Sequence, residues 1–150
     1  MNTTEKNALI EEVLMRAAEQ IGDVTPAAME AYYRRHPEAK DAFEVNGLGR
    51  REQLEGMMIE NSLHCLMHWF ESPGEIEILL SGSVLHHNDT LRVPPDWYSD
   101  LIETTADVIA TTIPAANTAE LAAWNEVRSE LHGVINNCRK LISKHQALYT

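Results

Sequence analysis

Apolar residues recur at helical spacing along almost the whole chain, and this periodicity limits the fold more than any other feature. The first segment shows it at Leu9, Ile10, Val13, Leu14 and Ala17. Such i, i+3, i+4 spacing places side chains on one face of a helix. A convincing alternation of period two, which is typical of strands, does not occur. The sequence therefore predicts an all-α bundle of about seven or eight helices.

Capping residues and prolines indicate where these helices begin and end. The first is expected from a cap at Thr3 or Thr4 to a stop at Gly22. The second is expected to begin with a Thr25 cap and Pro26, and Pro37 is expected to open a short third helix. A loop is expected at 46–49, and the remaining helices are predicted over 51–70, 75–88, 94–113 and 118–144.

Length and composition favour one domain spanning residues 1–150. The 150 residues are 44% hydrophobic, which is enough for a sizeable core. The formal net charge of −11 disfavours nucleic acid and anionic membranes as partners, because both are bound through clustered Lys and Arg. Apolar runs fall far short of the ~20 residues of a membrane span, and the first seven residues are polar. We therefore expect a soluble cytoplasmic protein.

Residue types that often carry chemistry give few local motifs. Cys65 and Cys138 are far apart and are interpreted as buried thiols, not as a disulfide or zinc framework. His64 and His68 share a helical face, but no H-E-x-x-H glutamate lies between them and no third ligand is evident, so we interpret them as the polar edge of a helix. The nucleophile motif G-x-S-x-G, the P-loop and G-x-G-x-x-G are absent.

Three segments occur in an order that resembles the globin superfamily, with bacterial single-domain haemoglobins and the globin domain of flavohaemoglobins closest in pattern. YYRRHPEAKDAF, from Tyr32, resembles the end of the second globin helix, a proline and the phenylalanine that packs on haem. HHNDTLRVPPDWY, from His86, resembles the stretch with the proximal histidine. ELAAWNEV, from Glu120, resembles the start of the last globin helix. The resemblance implies a globin-like fold around a pocket for haem b (iron protoporphyrin IX).

The resemblance assigns the iron ligand to His87. Counted from His87, Val93, Pro94 and Trp97 stand six, seven and ten residues on, which is the spacing of the family. Val93 and Trp97 would then line the haem pocket with Phe43, and His87 would be the metal ligand. His86 lies about 100° around the helix and is expected to face solvent or the rim of the pocket.

Two registers remain open on the distal side. The preferred one places Gln53 where it could hydrogen-bond a bound gas, with Met57 one turn further on. The second places Met58 at the distal position and Ser62 inside the pocket. Either methionine could also supply a soft thioether to the iron, although packing is the ordinary role of a core methionine.

Departures from the family limit which activities the resemblance implies. Met29 stands where flavohaemoglobins carry a pocket tyrosine, and Tyr32 and Tyr33 are expected at other angles. Trp97 stands where a proximal tyrosine is expected, and its glutamate partner has no counterpart near Arg139. No flavin or nicotinamide domain is evident. Nitric oxide dioxygenation by an attached reductase and peroxidase-like chemistry are therefore disfavoured.

The leading interpretation is a haem-binding globin that reversibly binds dioxygen or another diatomic gas for storage, delivery or sensing, and it is favoured over an enzyme without excluding one. One alternative is a haem-free globin-like regulatory domain that acts through protein contacts. Another is a haem-dependent oxygenase or peroxidase served by a separate reductase. A homodimer is compatible with each of these interpretations.

Overall fold

Seven α-helices form the part of the chain that the computed structural model describes, which is the backbone of residues 1–149 and the side chains of residues 1–144. This part contains no β-strand, so the all-α prediction is confirmed. None of its helices combines the length and apolar character needed to cross a membrane. The helices are α1 (Thr3–Gln20), α2 (Thr25–Arg35), α3 (Ala39–Gly47), α4 (Arg51–His68), α5 (Pro73–Asp89), α6 (Pro95–Ala110) and α7 (Thr118–Tyr149).

The first two helices begin with caps other than the predicted threonines. The Asn2 side chain accepts a hydrogen bond from Glu5 N at 2.8 Å and caps α1. Asparagine is among the best N-cap residues, so it takes this role ahead of Thr3. At α2, the Asp23 carboxylate accepts from Thr25 N at 2.9 Å. Val24 is the N-cap residue and makes no side-chain capping bond, and Thr25 is the first helical residue.

The helix boundaries around α3 and α6 also differ from the prediction. α3 begins at Ala39, after a turn that contains Pro37, and it includes the first two residues of the expected 46–49 loop. Leu48 and Gly49 then adopt left-handed φ values of 49° and 86°. α6 begins at Pro95, because a residue before proline is forced into an extended conformation. Pro94 accordingly has ψ 151°.

Helix α6 lies at the centre of the bundle. It packs against α1, α2, α4, α5 and α7. Its inward residues are buried, among them Ile102, Ala106 and Ile109. Trp124 on α7 is 1% exposed, and its indole N–H donates to Ala106 O at 3.1 Å. Cys65 and Cys138 are free and buried, as predicted.

An ion pair joins the first helix to the last. Arg16 of α1 makes two 2.8 Å hydrogen bonds to the carboxylate of Glu120, which is only 6% exposed. Asn117 also donates to this carboxylate at 2.9 Å. Hydrogen bonding from Arg16, opposed by burial and aided by Asn117, lowers the pKa of Glu120 below its ordinary value of 4.5. A lowered carboxyl pKa stabilises the folded state above the ordinary pKa, and this contribution is lost as the pH falls.

We expect Glu120→Gln to be less stable than the parent protein at neutral pH. The difference should shrink as the pH falls below about 5, because the parent then loses its charge-assisted bonds to Arg16. Urea unfolding at a series of pH values measures this difference. Glu126→Gln, which removes a surface carboxylate paired with Lys6, is the control, and its effect should stay within about 1 kcal/mol. A Glu120→Gln deficit that is independent of pH would contradict the assignment.

Candidate functional site

A cavity of ≈ 320 Å³ lies between two groups of helices. One side is formed by α2, α3 and α4, and the other by the end of α5, the segment between α5 and α6, and the start of α6. Most of its walls are apolar, with Ala39, Leu54, Leu101 and Ile102 among them. Mostly apolar cavities with a few placed polar groups are typical ligand sites.

The cavity brings together four of the six residues predicted to contact a cofactor. Phe43 reaches it from α3, His87 from α5, Val93 from the segment that follows and Trp97 from α6. They lie up to 54 positions apart in the sequence (97 − 43 = 54) and meet only through the packing of four elements.

Gln53 and Met57, the other two, do not line the cavity. Both are exposed, Met57 to 54%. The inward face of α4 instead carries Leu54, Met58 and Ser62, which stand four residues apart. Each helical position turns by about 100°, and Gln53 and Met57, one position before Leu54 and Met58, point away from this face. The residues of the preferred register therefore lie outside this cavity, whereas Met58 and Ser62 of the second register lie on its wall.

The His87 imidazole is held in one orientation by its own helix. Nδ1 lies 2.7 Å from Ser83 O, one turn earlier on α5, so Nδ1–H donates to this carbonyl. Nε2 is then the unprotonated nitrogen, and within the described residues it has no hydrogen-bond partner. Burial lowers the pKa of His87, although the bond to Ser83 opposes the shift. A neutral imidazole with a fixed tautomer is thus presented at the cavity.

Tyr98 supports His87 from the side and was missed by the sequence analysis. Its ring packs edge-on against the imidazole at 4.9 Å between centroids. Its hydroxyl donates to Ser83 Oγ at 2.9 Å and accepts from Asn61 Nδ2 at 3.4 Å. Burial raises the pKa of Tyr98 to about 12, so the hydroxyl keeps its proton. A hydrogen-bonded chain therefore links α4, α6 and the turn of α5 that holds His87.

The tyrosines occupy different places from those expected. Tyr98, one residue beyond Trp97, takes the position against the histidine, because the second proline delays the start of α6 by one residue. Tyr32 lines the cavity, with its hydroxyl donating to Trp97 O at 3.0 Å, whereas Met29 is buried outside it. Tyr32 stands four residues before His36 in the sequence, which places both on one face of the helix. The His36 ring packs against both Tyr32 and Trp97.

The segment after α5 turns tightly beneath the cavity. Val93 N donates to His87 O at 2.7 Å, which closes the turn. Arg92, just before Val93, has a left-handed φ of 57°. His86 is exposed and lies at the cavity rim, with its ring 6.0 Å from that of His87. The expected position of His86 at the rim agrees with this geometry.

The comparisons with known proteins add no relative. The chain matches no protein-family model, and neither curated proteins nor solved structures gave a match. The chemistry of the site must therefore be inferred from its own residues.

We expect Tyr98 and Ser83 to be energetically coupled, because the tyrosine hydroxyl donates to the serine. Tyr98→Phe should lower the free energy of unfolding by about 1–2 kcal/mol, since Ser83 Oγ and Asn61 lose a partner. Ser83→Ala keeps the carbonyl that orients His87 and removes only the hydroxyl. In a double-mutant cycle by urea unfolding, the two losses should overlap by about 0.5 kcal/mol or more. Strictly additive losses would show that the hydrogen bond between Tyr98 and Ser83 is not formed.

Proposed function

We propose that this cavity holds haem b through His87 and that the protein reversibly binds dioxygen or another diatomic gas. The observation that carries the proposal is the state of the His87 imidazole. Its Nδ1–H donates to Ser83 O, its Nε2 has no hydrogen-bond partner among the side chains that the structure describes, and the residue borders an apolar cavity. Histidines that bind metal usually donate the other ring N–H to a carbonyl or carboxylate in this way.

Among the residues that the structure describes, no group of three or more His, Cys, Asp or Glu side chains is placed to hold an ion. A bare ion would therefore be poorly held by His87 alone. A porphyrin supplies four nitrogen ligands itself and needs one strong axial ligand from the protein. A single neutral imidazole at an apolar cavity fits this requirement.

The walls of the cavity suit a large apolar ring. Phe43 on α3 packs against Tyr32 and Tyr33 with centroid distances of 6.4 and 6.0 Å. Val93 and Trp97 border the same space as His87. When bound, the haem supplies an iron centre with affinity for diatomic gases. The aromatic and aliphatic side chains keep water from that centre, and His87 fixes the orientation of the group.

Polar side chains on α4 are placed to discriminate between gases. Asn61 lines the cavity, and the only hydrogen bond of its side chain within the described residues is the long one, 3.4 Å, to the Tyr98 hydroxyl. The Ser62 hydroxyl donates to Met58 O at 3.2 Å and is therefore engaged with its own helix. Asn61 thus has the amide that can most readily turn toward a polar gas in the cavity. It takes the role that the sequence analysis gave to Gln53.

The first test of the proposal is the identity of the haem ligand. The purified protein, reconstituted with haem, should show a Soret band with one haem per chain. His87→Ala should lose stable haem retention, and added imidazole should restore it, because the substitution leaves a space at the ligand position. His86→Ala, at the rim, is the matched control and should leave the spectrum unchanged. Absence of haem uptake by the parent, or equal effects of the two substitutions, would overturn the proposal.

The second test concerns the polar group on α4. Asn61→Leu should speed dioxygen dissociation by about five- to tenfold, which corresponds to the loss of one hydrogen bond of about 1 kcal/mol. Carbon monoxide, which is less polar, should respond less. Gln53→Leu is the control on the same helix and should change neither rate, because Gln53 is exposed. The rates are measured by stopped-flow ligand replacement. A large effect of Gln53→Leu alone would restore the register in which Gln53 faces the gas.

A further inference from the structure

A second pair of histidines lies outside the cavity, near the end of α4. His64 and His68 are one turn apart, and their ring centroids are separated by 4.6 Å with an interplanar angle of 49°. His64 is exposed, and the His68 side chain keeps 37% of its surface accessible. Neither residue borders the cavity that contains His87. Two imidazoles this close on an exposed helical face can bind one ion together.

The second observation is a carboxylate behind one of these rings. Glu71 follows the end of α4, and its Oε2 lies 3.4 Å from His68 Nδ1. This contact favours the tautomer in which Nδ1–H donates to the carboxylate and Nε2 carries the lone pair. Such a carboxylate partner orients a metal-binding histidine and increases its basicity. The sequence showed no third residue for this pair, because Glu71 reaches His68 only after the helix has ended.

We propose that His64 and His68 chelate a divalent transition-metal ion, with Glu71 as a positioning residue for His68. Each histidine supplies one ring nitrogen, and water completes the coordination, since the described residues place no third ligand there. Nitrogen ligands favour Cu²⁺ over Ni²⁺ and Zn²⁺ in the usual order of affinity. The site lies on the outer face of α4, and the inference does not rest on the proposed function of the cavity.

Metal binding at this pair would stabilise the helix that carries it. The two rings are close only when the last turns of α4 are formed, so an ion that joins them binds the folded chain in preference to the unfolded one. Ligands that bind only the folded state raise the unfolding temperature in proportion to the logarithm of their concentration.

The test is copper binding by protein prepared without a histidine tag. Isothermal titration of the full chain with CuCl₂ should show one site that depends on both histidines. His64→Ala and His68→Ala should each weaken it by at least about tenfold, because the remaining imidazole loses its tethered neighbour. Glu71→Gln should weaken it less, by up to about tenfold, as expected for an outer partner. Ni²⁺ and Zn²⁺ should bind more weakly than Cu²⁺ in the parent protein.

His132→Ala is the matched control, because His132 is an exposed histidine on α7 and is not part of the pair. It should leave copper affinity unchanged. Circular dichroism without metal should show that all variants keep the helical content of the parent. Thermal unfolding gives a second readout, since copper should raise the unfolding temperature most in the parent and in His132→Ala, less in Glu71→Gln, and least in His64→Ala and His68→Ala. The proposal is overturned if the parent binds no copper, or if either single variant of the pair binds it with parental affinity.

Discussion

The position of α6 within the bundle is the constraint on which the candidate site depends. This helix packs against five others, so its starting point and rotation are fixed from several sides. The pair Pro94 and Pro95 sets that start, because the first proline must be extended and the second suits the first turn of a helix. With this start, Trp97 and Tyr98 in the first turn of α6 line the cavity. The Tyr98 ring contacts the His87 ring, and the backbone carbonyl of Trp97 accepts a hydrogen bond from the Tyr32 hydroxyl.

Much of the fold and part of the site could be predicted from the sequence. Helical periodicity and prolines indicate the order of the helices, and the resemblance to globins points to His87, Val93 and Trp97, which all line the cavity. The rotation of α4 could not be predicted, because Gln53 and Leu54 differ by only 100° and both suit an amphipathic helix. That rotation depends on packing between α4 and α6, and it moves Met58 in and Met57 out. Tyr98 was missed for the related reason that α6 begins one residue later than expected.

The short helix α3, which carries Phe43, is joined to α4 by an ion pair in addition to its apolar packing. Arg51 at the start of α4 pairs with Glu44 of α3 and lies 3.5 Å from Glu55. Tyr33 of α2 donates to Glu55 at 2.5 Å, and burial with this bond raises the pKa of its hydroxyl. The carboxylate of Glu55 is thus shared by a phenol and a guanidinium at the junction of α2 and α4. These contacts surround one wall of the cavity with charges that are partly open to solvent.

Arg92, next to Val93 on the opposite wall of the cavity, has a left-handed backbone conformation with φ 57°. A residue with a side chain in this conformation carries backbone strain of about 1 kcal/mol or more. It also has fewer accessible conformations in the unfolded chain than glycine, which would fit the turn without strain. Replacing Arg92 with glycine would remove this strain but would give the unfolded chain more conformations, so the two effects on the free energy of unfolding oppose each other.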